Sequence, residues 1–97
     1  MILNYFELVG LLLRKGTLDP EMITSEFSLW AYSYWIASEK YIEKTRQRDS
    51  NYWINYEKLM QAMDATNEKV YRDTSYRPTK AEVKNFLEGE SKLVFSA

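Results

Sequence analysis

The segment from Pro20 to Arg48 constrains the fold more than any other part of this chain. Taken as a helix at 100° per residue, Ile23, Phe27, Trp30, Tyr34, Ala37 and Tyr41 share a sector of about 80°. Met22, Leu29 and Ile36 widen that sector on one side. Trp35 and Ile42 lie about 120° or more from Trp30, and Tyr32 about 160° from it. A helix that is apolar most of the way round cannot lie on a surface and must have neighbours on more than one side. The aromatic run SLWAYSYWIASEKYI therefore divides. The set centred on Trp30 is expected to be core by its spacing. Tyr32, Trp35 and Ile42 point elsewhere, to be covered by another helix of the same chain or by a partner.

The neighbours can be read from the punctuation. A first helix over residues 2–15 ends with Arg14 and Lys15 at the negative end of its dipole and Gly16 at the C′ position. Asp19-Pro20-Glu21 reads as N-cap, N1 proline and first-turn acid of the second helix, over 20–48, with a bend expected near Ser25 to Ser28 where propensity dips. Asp49 and Ser50 supply a turn, and a third helix is expected over 51–72. In it Tyr52, Trp53, Tyr56, Leu59, Met60, Met63 and Val70 fall within about 120°, opposite Asn55, Lys58 and Ala62. The polar stretch Asp73 to Pro78 ends this helix. Thr79-Lys80-Ala81-Glu82 is a capping-box pattern opening a short fourth helix over 80–88, with Gly89 behind it and a C-terminal tail carrying Leu93, Val94 and Phe95. No segment alternates with the period of a strand. The expected class is all-α: one domain over residues 1–97, a small bundle of three long helices plus a short fourth.

Function classes are narrowed mainly by what the composition lacks. The chain has no Cys and no His, which removes disulfides, thiolate nucleophiles, the commonest general base and the commonest transition-metal ligand. Lys plus Arg number 13 against 14 Asp plus Glu, so no charged field steers a polyanion. No Gly-x-Ser-x-Gly elbow, Ser-x-x-Lys pair or glycine-rich phosphate loop is present. Glu39 and Glu43 share a face at i and i+4, but Lys40 and Lys44 flank them, and a solvated charged face accounts for them better than a metal site. No catalytic residue, cofactor, metal or small-molecule substrate is assigned. The apolar run Leu8 to Leu13 is far short of the roughly 20 residues a bilayer span needs, and the N-terminus lacks the basic flank of a signal peptide. The expectation is a chain that does not itself insert in a membrane.

A family resemblance adds to this. LNYFELVGLLLRKGTLDPEMI, then Phe27, Tyr34-Trp35, Tyr41-Ile42-Glu43, Arg46 and YWINYEKL resemble the C-terminal half of an uncharacterised family of small helical domains from bacteria and phages. The resemblance covers about residues 2–63. It implies an all-helical fold; many members carry one or two membrane-spanning helices upstream, and members usually have one or two further helices before the equivalent of Leu3. It implies no catalytic residue.

The first helix fits that picture, because Leu3, Phe6, Val9 and Leu13 make one face while Leu8 and Leu12 make another. The second face needs cover from a second copy, the chain's own tail or another protein. The function expected from these observations is a non-enzymatic protein–protein interaction or assembly domain, with a homodimer as the plausible assembly. The candidate interface comprises Leu8, Leu12, Tyr32, Trp35 and Ile42. The expected location is the cytoplasm, either free or as the cytoplasmic part of a membrane-anchored protein. The alternative is a nucleic-acid-binding accessory factor stacking bases on the aromatic run beside Arg14, Lys15, Arg46 and Arg48. The even charge balance disfavours it.

Overall fold

The computed structural model describes residues 2–72 and 77–96. These form five helices: α1 (Ile2–Arg14), α2 (Pro20–Ala37), α3 (Glu39–Arg48), α4 (Ile54–Lys69) and α5 (Lys80–Ser96). No strand occurs among the described residues. The all-α class expected from the sequence is what forms, with five helices rather than four.

The first two boundaries form as their chemistry dictates. Gly16 takes φ 77°. Its N–H donates to the Leu13 carbonyl at 3.0 Å and the Thr17 N–H to Leu12 at 3.1 Å, the paired bonds of a Schellman stop. Asp19 accepts from the Glu21 N–H at 3.1 Å and Pro20 occupies the first turn. The Thr79 capping box also forms. Its hydroxyl accepts from the Glu82 N–H at 3.2 Å, while Glu82 accepts from the Thr79 N–H at 3.4 Å.

Four expectations need correction. The segment from Pro20 to Arg48 breaks at Ser38 and not near Ser25 to Ser28. The Ser25 hydroxyl donates to the Met22 carbonyl at 3.0 Å and stays within the helix. The Ser38 N–H instead bonds both Tyr34 and Trp35 carbonyls at 3.1 Å, tightening the last turn of α2. That turn redirects α3 so that Thr45 and Arg46 reach the start of α4. The third expected helix begins three residues late, because Trp53 adopts a left-handed φ of 64°. It stops at Lys69, with Arg72 at φ 52° beyond it. The part of the expected Asp73 to Pro78 terminator over 73–76 lies outside the described residues. Finally, α5 runs through Gly89 to Ser96, since the residues after Gly89 continue with helix formers and no turn signal follows. The side chains of Leu93, Val94 and Phe95 also lie outside what is described.

α2 is the hub of the arrangement and touches each of the other four helices. This is the position its all-round apolar surface demands. The contiguous core runs through Leu3, Phe6, Ile23, Ala31, Tyr32, Ile42, Trp53, Tyr56, Leu59, Met60 and Met63. Phe6 stacks against Tyr56 at 5.1 Å between ring centroids, and Trp35 meets Tyr56 edge-on at 4.9 Å.

The most extensive helix contact is α1 on α4, and one residue sets its distance. Gly10 is buried, and a Cβ at that position would lie 2.0 Å from the Asn55 carbonyl oxygen and 3.2 Å from the Tyr56 nitrogen. Only hydrogen fits between these backbones. The short separation brings Glu7, one turn earlier, over the first turn of α4. Its carboxylate accepts from the Tyr56 N–H at 2.8 Å and from Asn55 Nδ2 at 3.1 Å. One turn later Arg14 donates to Asn55 Oδ1 at 2.6 Å. α4 has no cap from its own Trp53, so α1 supplies the anion that its N-terminal N–H groups and dipole require.

Gly10→Ala therefore tests the crossing directly. Alanine is the better helix former by about 1 kcal/mol, yet the contact with backbone leaves no side chain to yield. We expect a net loss of about 2–3 kcal/mol in urea denaturation. A stability equal to or above wild type would show that the helices do not approach this closely.

Candidate functional site

The sequence-based candidates separate into two groups in space. Tyr32 is fully buried and Ile42 nearly so, while Trp35 is half-buried and packed against the core beneath α4. The Tyr32 hydroxyl donates to Asp64 at 2.7 Å, and Asp64 also receives Arg77 Nη2 at 2.7 Å. The chain's own α4 thus covers Tyr32 and Trp35, and Ile42 is buried within the same core cluster. Leu8 is 53% exposed and Leu12 half-buried, both on the side of α1 turned from the core.

The residues expected as core around Trp30 show the reverse pattern. Ile23 is buried, but Phe27, Trp30 and Tyr41 are exposed, Trp30 at 40%. α4 takes the opposite sector of α2, because Tyr56 donates its hydroxyl to the Ala31 carbonyl and meets Trp35 there. Tyr34 of the same sector packs on the core beside Phe6, so the expected core face is borne out at Ile23 and Tyr34 and overturned at Phe27, Trp30 and Tyr41. A sector widened by Leu29 and Met22 outscored one in which Ala31, Ser28 and Thr24 leave room for a close helix.

The exposed residues gather. Ile2, Tyr5 and Phe6 of α1 with Phe27 and Trp30 of α2 line an apolar cleft of about 250 Å³. Ile2, Tyr5, Leu8 and Leu12 follow 3-3-4 spacing, so the cleft continues as a stripe along the outer face of α1. A second, larger groove of about 670 Å³ lies between α2 and α5, floored by Ile36, Ala37, Val83 and Leu87 and edged by lysines and glutamates. Sequence reasoning assigned no role to Tyr5 or Glu7 and placed Phe27 in the core, whereas it is exposed at the cleft. A lone acid inside an otherwise apolar first helix was the available signal for Glu7.

The basic side chains beside the aromatic run are engaged within the fold. Arg46 forms an ion pair with Glu57 at 2.6 Å, donates to the Tyr52 carbonyl at 2.9 Å and the Trp53 carbonyl at 3.3 Å, and lies over the Trp35 ring. With Trp53 Nε1 donating to Thr45 at 2.9 Å, it holds the left-handed turn before α4 in place. Arg14 is bound to Asn55. Among the described residues, no group of three or more acids is placed to hold a metal ion. No described helix is long and apolar enough to cross a membrane.

The profile of a family described as a domain of unknown function, DUF4760, matches residues 1–63. The chain belongs to the DUF4760 family. No curated protein and no solved structure matches it. The DUF4760 segment contains α1, α2, α3 and the first part of α4. Every residue of the contiguous core lies inside it. It ends one residue before Asp64, the acid that ties Tyr32 to Arg77.

The two buried tyrosines make a pH signature. Burial raises the Tyr32 pKa above the ordinary tyrosine value, and its hydrogen bond to Asp64 adds to this; burial raises Tyr56 as well. Both stay protonated in the fold at a pH where the unfolded chain ionises. Their stability is fully present below about pH 10 and is lost as pH rises beyond it. Melting temperature should fall from pH 9 to 11, and Tyr32→Phe should flatten that fall while costing stability at neutral pH. A Tyr32→Phe profile parallel to wild type would contradict the assignment.

Proposed function

We propose that this DUF4760 chain is a non-enzymatic assembly module that self-associates through the outer face of α1 and the adjoining cleft on α2. The observation that carries the reading is the apolar stripe of Ile2, Tyr5, Leu8 and Leu12 running into the cleft with Phe27 and Trp30. Large apolar and aromatic side chains of this kind concentrate at interface centres. An α1 stripe pairing with its own copy about a two-fold axis buries both at once. The absence of His and Cys supports a role without chemistry, and the remaining polar clusters are engaged in holding the helices together. The family resemblance suggests the setting, a module on the cytoplasmic side of a membrane-associated protein. Base stacking on the aromatic run is less well supported, because Trp35 lies beneath Arg46 and both Arg46 and Arg14 are bound internally.

Sedimentation equilibrium at high micromolar concentration should give a mass above that of the 11.6 kDa chain. The double variant Tyr5→Lys/Leu8→Lys should sediment as a monomer with unchanged helicity and melting temperature, a weakening of at least roughly tenfold, or about 1.4 kcal/mol. A monomeric wild type would sink the reading.

A further inference from the structure

α5 stands outside the contiguous core and outside the residues that match the family. The contiguous core spans Leu3 to Met63 and includes nothing from α5, and among the described residues α5 packs on α2 alone. It is held by the buried Val83 and by Phe86 edge-on to Trp30 at 5.6 Å. Ahead of it Arg77 grips Asp64 and lies over the Tyr32 ring. The fit is loose, since the groove of about 670 Å³ remains open between Ile36 and Ala37 on one side and Val83 and Leu87 on the other.

The seat of α5 also carries a polar fault. Ser33 lies about 60° from Trp30 and about 60° from Ile36 round α2, in the middle of the sector α5 covers. Its side chain is fully buried and its hydroxyl has no hydrogen-bond partner. Covering that hydroxyl removes its water and returns nothing, so docking of α5 is less favourable than over an alanine. An interface with one neighbour among the described residues, an open groove and an orphaned hydroxyl is one from which a helix can leave.

We propose that the α2 face of Trp30, Ser33, Ile36 and Ala37 is a helix-docking site with an exchangeable occupant, and that a second copy of this chain fills it with its own α5. The helix complementary to this face is α5 itself, and every copy carries one. Exchange of an identical element remakes each contact in the partner, including the Arg77 pair with Asp64. This face is separate from the α1 stripe, and the exchange does not depend on it.

The chain has no cysteine, so introduced thiols report cleanly. Ala37 is exposed and Leu87 lies across the groove from it. Full-length Ala37→Cys and Leu87→Cys chains, mixed and mildly oxidised, should give a disulfide joining position 37 of one chain to position 87 of the other, identified by peptide mass spectrometry. Its yield should rise with protein concentration and exceed that of a Lys58→Cys control paired with Leu87→Cys. The same product should form in the Tyr5→Lys/Leu8→Lys background, which separates this proposal from assembly through α1. Ser33→Ala, by seating α5 more firmly, should slow its appearance by about tenfold. Absence of the mixed disulfide, with the Ala37→Cys/Leu87→Cys double variant closing only within one chain at every concentration, overturns the proposal; an unchanged rate in Ser33→Ala does so as well.

Discussion

The contact between Gly10 and the Asn55 backbone is the constraint on which the remaining geometry depends. It draws α1 and α4 to a distance that admits no side chain, and that distance is what lets Glu7 reach the first turn of α4. With α1 so placed, Phe6 meets Tyr56 and Tyr34, and Tyr56 reaches across to Ala31 and Trp35 on α2. The core is thus built outward from one crossing. Polar groups at that crossing act as positioning devices, since Glu7, Asn55 and Arg14 fix both the rotation and the register of α1.

Much of the helix punctuation was legible because it is local. Gly16, Asp19-Pro20 and the Thr79 box each satisfy terminal backbone groups within a few residues, and sequence neighbours suffice to recognise them. The start of α4 was not legible for the opposite reason. Its cap comes from a distant helix, and Trp53 tolerates a left-handed conformation only because Thr45 and Arg46 hold it. Tertiary contacts there override the continuous helical pattern of Asn51 to Arg72. The all-round apolar character of α2 correctly located it at the centre of the fold. Periodicity alone could not say which neighbour takes which sector, because small residues that admit a close helix score poorly as hydrophobic. For the candidate interface, the angles separated Leu8 and Leu12 from the main face of α1, whereas Tyr32 and Trp35, set apart from Trp30, lie under α4 and Ile42 is buried in the core cluster.

The division of α2 also gives the family boundary a physical meaning. Residues 1–63, the part that matches the family, contain the whole contiguous core. Beyond it, among the described residues, α5 adds a layer to a single face. A layer of this kind can vary in sequence without disturbing the crossing of α1 and α4. Trp30 stands where the two regimes meet, touching α5 on one side and the apolar cleft on the other.

The cap on α4 has a consequence for how the chain reaches this structure. Glu7 lies 48 and 49 positions from the groups it satisfies, so no nascent segment of α4 can complete its own first turn. Closing that long loop costs entropy before the carboxylate and the Gly10 crossing return anything. An isolated α4 peptide keeps Glu57 in its first turn but lacks the Glu7 carboxylate on the Tyr56 N–H, and that bond forms only on meeting α1. Folding of the two is therefore a single event, with the earliest residues of the chain waiting for those near its middle.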